Sequence, residues 1–313
     1  MRKKYIKSYY TQILPGRLYQ KITGKKFLSE KHYNKPIMDI EKGNEFLYNK
    51  ILEGKPFFAG RLGATELNVI ENVLAIRSGV MRNIKERRVE QLFNWSGFFP
   101  KDAELVLKFA DIYFESAQKT DFLGIWFSIF EDFIVNNYAT DATLGYPRCL
   151  EPYYFSLPWT KALEDKKVLI VHPYDELIKE QYNKRKELFP KTEVLPEFEL
   201  LTLKAVQSLA GEKTEYATWF DALDDMYSKI SQIDSDIAIL GCGAYGFPLA
   251  AKIKDLGKQA IHLGGATQIL FGIKGKRWDN HPEISKMYNE SWVKPGEKYV
   301  PKNAKNVEGG CYW

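Results

Sequence analysis

Two glycine-bearing stretches, far apart in the chain, have the residue types and spacing for anion chemistry. The first, Gly60-Arg61-Leu62-Gly63-Ala64-Thr65-Glu66, sets a guanidinium and a carboxylate in one turn. The second, Gly241-Cys242-Gly243-Ala244-Tyr245-Gly246, is a G-x-G-x-x-G run. A glycine turn feeding a helix N-terminus presents backbone N–H groups and a positive dipole end to an anion such as a diphosphate. Arg61 adds a fork of donors for phosphate oxygens, and Glu66 a carboxylate able to take a proton. His172, the run His262-Leu263-Gly264-Gly265, and Lys274 and Arg277 within IKGKRWDN extend the set. Singly, each has an ordinary structural account: Arg61 bridging an acid, Glu66 steadying a helix start, His172 filling a turn before Pro173. Convergence on one sheet edge is what would make them a site.

The same glycine spacing belongs to dinucleotide fingerprints, which expect an Asp or Glu about 20 residues further on to hold a ribose hydroxyl. His262-Leu263-Gly264-Gly265 stands there, without an acid. NAD or FAD is therefore disfavoured, while a structural tight turn and a phosphate cradle for another nucleotide ligand both stay open.

The elements that must position these residues read as alternating strands and helices. Ile237 to Leu240 is a buried parallel strand, Phe247 to Leu256 a helix with Pro248 in its first turn and Gly257 as its stop, and Gln259 to Leu263 the next strand. Pro56 to Ala59 is a strand before the Arg61 turn, with a helical stripe at Leu67, Ile70, Val73 and Leu74 behind it. Helices are predicted at Met38 to Leu52, Val89 to Phe93, Leu105 to Phe114, Asp175 to Leu188, Tyr216 to Ile233 and Ala266 to Phe271. Further strands are predicted at Phe122 to Phe127, which runs into a helix to about Asn137, at Val168 to Val171 and at Phe198 to Leu203. Thr143 to Phe155, rich in aromatics, reads as an ordered loop. The alternation implies a mainly parallel α/β sheet, Rossmann-like, with helices on both faces. The chain divides into a basic aromatic arm (1–35), an α/β body (36–280) and a tail (281–313) whose aromatic end folds over a cleft or packs as a strip.

Composition excludes several classes. Lys+Arg 45 against Asp+Glu 40 gives +5, too mild to announce nucleic acid. Cys149, Cys242 and Cys311 lack metal-type spacing and read as reduced thiols of a cytoplasmic protein. No apolar run reaches transmembrane length, and the basic start lacks a signal-peptide core. The arm MRKKYIKSYYTQILPGRLYQKITGKKFL suits peripheral contact with an anionic membrane at its inner face, or a solvated arm or helix packed on its own domain. Pro15 and Gly16 are expected to interrupt a long helix.

FFAGRLGATELNVI resembles the R-x-G-x-x-E segment, often R-F-G-D-G-E, of the GT-D fold glycosyltransferases of bacterial polysaccharide and glycoprotein assembly. LGCGAYGFPLAAKIKDLGKQAIHLGGATQILFGIKGKRW is similar to the C-terminal signature of that group, and the likeness spans roughly residues 50 to 280. The resemblance implies a nucleoside-diphosphate sugar donor, such as a UDP-sugar, and a hexose passed to a glycan or lipid-linked glycan acceptor. Glu66 is then the catalytic carboxylate. Arg61, Gly63, Thr65, His172, Gly241, Gly243, Ala244, Tyr245, Gly246, His262, Gly264, Gly265, Lys274 and Arg277 are the candidates for holding the donor diphosphate. Where better-known members carry Asp-Gly-Glu, this chain has Ala64-Thr65-Glu66, so one carboxylate remains. No metal is expected to be required; Mg²⁺ or Mn²⁺ would enter only through donor phosphates. The alternatives are an NAD(P)-dependent nucleotide-sugar oxidoreductase and a non-catalytic scaffold of an envelope polysaccharide assembly complex.

Overall fold

The computed structural model describes residues 1–27, 30–307 and 309–313; Leu28 and Ser29 of the arm and Glu308 of the tail lie outside the described residues. Along the chain, α1 (Arg2–Ser8) and α2 (Leu14–Thr23) are joined by a π-helical turn (Tyr9–Ile13). Then β1 (Ile37–Met38) leads to α3 (Ile40–Glu53), and β2 (Phe57–Gly60) to α4 (Ala64–Arg77), α5 (Glu86–Ser96) and α6 (Ala103–Gln118). They are followed by β3 (Phe122–Gly124), α7 (Glu131–Asn137), β4 (Thr143–Gly145), β5 (Lys167–His172), α8 (Asp175–Tyr182), α9 (Arg185–Leu188) and β6 (Glu199–Lys204). The last stretch holds α10 (Trp219–Ser231), β7 (Ile237–Leu240), α11 (Gly246–Asp255), β8 (Gln259–His262), α12 (Thr267–Leu270) and α13 (Lys276–Asp279).

The strands form one sheet of order β1-β4-β3-β2-β8-β7-β5-β6, and every pairing in it is parallel. The expected mainly parallel α/β sheet with helices on both faces is what the chain adopts. Side-chain alternation along the strands divides the interior into two layers. Phe58, Leu169, Val171, Ala238, Leu240 and Ala260 pack with apolar residues of α4, α6, α10 and α11. Phe57, Ala59, Val168, Ile170, Ile239 and Ile261 pack with α3, α8 and α12 on the other face. Fully burying one such aliphatic or aromatic side chain is worth about 1.5–3 kcal/mol, so these layers hold the sheet and leave the strand ends free for other work.

Several elements differ from the sequence expectation for local reasons. The helix predicted from Met38 starts at Ile40, because Asp39 caps it by accepting from the Lys42 N–H at 2.9 Å and leaves Ile37–Met38 to pair with β4. The strand predicted over Phe122 to Phe127 stops at Gly124, since Phe127 turns the backbone to φ 55°. The loop predicted over Thr143 to Phe155 contains β4, and the helix predicted over Asp175 to Leu188 breaks between α8 and α9. Pro15 and Gly16 do not interrupt the N-terminal helix. The π turn just before Pro15 loosens the segment where the proline ring would crowd the carbonyl four residues back, and Gly16 packs against the Phe27 ring. That helix lies on its own domain: Tyr5 is fully buried and donates to Glu71 Oε1 at 2.8 Å, and Arg17 pairs with Glu71 at 2.7 Å. Among the described residues no helix is long and apolar enough to cross a membrane.

Candidate active site

Strand register decides what meets at the carboxyl edge of the sheet. Ala59 of β2 pairs with Ile261 of β8, His262 of β8 with Leu240 of β7, and Leu240 with Val171 of β5. The four strands therefore finish in a row, and His172 at the end of β5 becomes a neighbour of the residues that follow the other three, Arg61, Leu263 and Gly241. From β2 the chain leaves to α4 on one face, and from the adjacent β8 to α12 on the other. Continuations that part in this way open a crevice, the place where ligands bind in parallel sheets.

A cavity of about 460 Å³ occupies the crevice, with Arg61, Gly63, Thr65, Glu66, Gly243, His262, Gly264, Gly265 and Arg277 on its walls. A tighter pocket adjoins it, with His172, Gly241 and Tyr245 on its walls; Trp95, Ser96, Gly243, Gly265 and Tyr312 border both. Two sequence motifs nearly 180 residues apart thus meet around one space. Ala244, Gly246 and Lys274 line neither pocket. The Ala244 carbonyl accepts from Tyr113 Oη at 2.7 Å, and Lys274 Nζ sits 5.2 Å from the Tyr288 ring centroid.

Glu66 is 7% exposed, in the first turn of α4, with its carboxylate folded back over Gly63. A Cβ at position 63 would stand 1.8 Å from Glu66 Oε2, so the glycine makes the seat for this carboxylate. Burial raises the Glu66 pKa, and the Ser96 side chain and the Glu66 backbone amide pull the other way. A desolvated carboxylate beside a cavity has the character of a base.

Arg61 is held on three sides. Nη1 donates to Glu151 Oε1 at 3.1 Å, Nη2 donates to the Leu263 carbonyl at 2.6 Å, and the guanidinium lies 5.3 Å from the Trp126 ring centroid. Its charge is shared with Glu151, an acid for which the sequence held no signal. The two imidazoles are neutral. Burial lowers His172 to about 3, with Nδ1 accepting from the Tyr174 N–H at 3.0 Å. Burial and Arg61 lower His262 to about 3, with Nδ1 3.1 Å from the Arg61 carbonyl. They shape the crevice floor as uncharged groups and add no cation for phosphate.

The glycine turn divides its work. At Gly241 a Cβ would stand 2.6 Å from His172 Cδ2, and at Gly246 2.4 Å from His262 Cδ2, so both glycines admit a histidine ring. Gly243 alone of the three is exposed, at φ 57°, and its backbone opens to both pockets. Tyr245 is buried, stacked 4.9 Å from Trp219, with its hydroxyl 3.1 Å from Ser208 Oγ.

Sequence reasoning also passed over Trp126, which it placed inside a strand. The ring is 38% exposed and lines the crevice over Arg61. Its loop holds Phe127 and Phe130 at φ 55° and 81°, conformations that cost bulky residues energy. Buried Glu131 secures the loop: Oε2 accepts from the Trp126 N–H at 2.9 Å, the Ser128 N–H at 3.0 Å and Tyr33 Oη at 3.2 Å. The available signal was an aromatic residue just past a glycine at the end of a strand. Tyr312 of the tail packs on Gly265, where a Cβ would stand 2.7 Å from its ring, so the C-terminal aromatics fold over the crevice.

Among the described residues no group of three or more His, Cys, Asp or Glu side chains is arranged to hold a metal. Among the described residues Glu66 is the carboxylate on the crevice wall, with Glu151 reached only through its pairing with Arg61, a donor set that does not fit a hard cation held by protein alone.

No family model matches the chain, and no curated protein sequence is significantly similar to it. Two solved structures are similar in fold. One is described as "The highly conserved domain of unknown function 1792 has a distinct glycosyltransferase fold"; it shares 15% identity at a TM-score of 0.44, over 90% of this chain and 91% of that one. The other, a selenomethionine form of domain of unknown function 1792, shares 14% at a TM-score of 0.39, over 75% of this chain and 80% of that one. With likeness this distant, the crevice itself has to carry any reading of function.

Proposed function

We propose that the protein is a glycosyltransferase that moves a sugar, a hexose by the sequence resemblance, from a nucleoside-diphosphate donor to a hydroxyl of a growing glycan. The observation that carries this reading is Glu66, a buried carboxylate seated by Gly63 and facing a crevice that also holds Arg61 and the exposed Gly243 backbone. The donor diphosphate lies against Arg61, the first amides of α4 and the glycine turns at Gly243 and at Gly264–Gly265. Trp126 and Trp95 border the same space and offer faces for a sugar or base. The acceptor oxygen attacks the anomeric carbon as the bond from that carbon to the diphosphate oxygen breaks. The electron pair leaves with the diphosphate, and Glu66 takes the acceptor proton. Arg61 and the backbone donors stabilise the charge that develops on the leaving group.

Replacing Glu66 by Gln keeps the shape and removes the base. Turnover is expected to fall about 100-fold or more, while a nucleoside diphosphate still raises the melting temperature as a native-state ligand must. Unchanged turnover with lowered stability would reduce Glu66 to a helix-start residue. A screen of nucleoside diphosphates, their sugars and NADH by melting temperature tests the donor class; stabilisation by NADH alone would overturn the reading in favour of an oxidoreductase.

A further inference from the structure

Before Glu30 every charged side chain of the sequence is Lys or Arg. In the fold residues 2–23 of this segment form α1, the π turn and α2, and among the described residues they pack on the domain through one side. Tyr5 and Ile13 are buried against the domain, and Arg17 is tied to Glu71. The other side presents Tyr10, Leu18, Tyr19 and Ile22 at 60, 49, 43 and 81% exposure, with Leu18, Tyr19 and Ile22 grouped in about one turn. Lys3, Lys4, Lys7, Lys21 and Lys25 stand exposed around them. One exposed leucine needs no explanation. Four large apolar side chains on a helix already anchored by its opposite side do.

We propose that this outer face docks on an anionic lipid bilayer. Ile22, Leu18 and the tyrosine rings enter the headgroup boundary, and the lysines lie against lipid phosphates. Charge selects this occupant over a second copy of the chain, because two acid-free basic helices meeting face to face repel each other. The docking places the membrane beside the candidate active site: Lys26 Nζ donates to the Trp126 carbonyl at 2.7 Å, and both residues line the crevice. A lipid-linked acceptor would then reach the crevice from the bilayer, a consequence that rests on the transfer reading; the docking itself does not.

The test is co-sedimentation of the full chain with vesicles of equimolar phosphatidylcholine and phosphatidylglycerol, against phosphatidylcholine alone, without nucleotide sugar. Binding is expected to the anionic vesicles only, to weaken as salt rises, and to fall roughly tenfold or more in the variant Leu18→Glu/Ile22→Glu. Both substitutions are at exposed positions, so an unchanged melting temperature confirms the fold. Absence of binding to anionic vesicles, binding unaffected by the double substitution, or a dimer in solution that the double substitution dissociates while vesicles are ignored would each overturn the proposal. Donor binding is read separately by melting temperature without vesicles, so failure of the transfer reading and failure of the docking are distinguishable.

Discussion

At the residue scale, position 63 offers a sharper probe of the proposed base than replacement of Glu66 itself. Gly63 has φ −74° and ψ 143°, a conformation that alanine adopts without strain. What Gly63→Ala disturbs is the Glu66 carboxylate, which the new methyl would displace. The variant should keep its fold and its nucleotide-dependent stabilisation and lose about 100-fold in kcat; near-normal turnover would show that the seat has no part in the reaction. Titration gives a second check. Burial raises the Glu66 pKa, and a base works only when deprotonated, so activity should fall on the acid side through an apparent pKa above the usual carboxylate range. A kcat/KM profile measures this; a limb at or below that range would contradict Glu66 as the titrating group.

The element that matters most is the loop between β3 and α7, because it combines an exposed ring with a strained backbone and a buried carboxylate that secures it. Trp126→Ala should raise the KM for donor roughly tenfold, in line with the loss of one stacking surface, and change kcat less. Equal loss in kcat and none in KM would remove Trp126 from ground-state binding. Burial raises Glu131 from 4.5 to about 7. The folded state therefore binds a proton that the unfolded state has already released, and stability contributed by Glu131 is lost as pH rises from about 4.5 to about 7. His172 and His262 act in the opposite sense, each favouring the fold as pH rises from about 3 towards 6.5. The comparison that isolates the carboxyl is Glu131→Gln, which keeps both histidines. Urea unfolding across pH 4.5 to 7 should show wild type losing stability relative to this variant; parallel curves would contradict the assignment.

For the whole molecule, the arrangement of the sheet is what brings chemistry together. Arg61 and its partner carbonyl at Leu263 are 202 residues apart in sequence and meet only because β2 and β8 are neighbours. At the crevice Arg61 is balanced by Glu151, and among the described residues no group of three or more acids, histidines or cysteines gathers there. Turnover in EDTA should therefore be largely retained, and complete loss restored by Mn²⁺ would show that donor phosphates carry in a cation essential to the reaction.

How much of this was legible in the sequence follows from the range of each interaction. The longer strands, the helices behind them and the two glycine turns are set by neighbours a few residues away, so apolar periodicity and glycine placement disclosed them, and with them Glu66 and Arg61. Strands β1 and β4 escaped because two or three residues make no pattern and are strands only through their partners. The Glu151 pairing, the Trp126 face and the neutrality of both histidines depend on what packs around them from distant segments, which only the closed sheet supplies. The G-x-G-x-x-G run shows the division most plainly. Its spacing is local, yet whether a glycine admits a histidine ring or opens to a ligand is decided by the neighbouring strand, and only Gly243 has space before it.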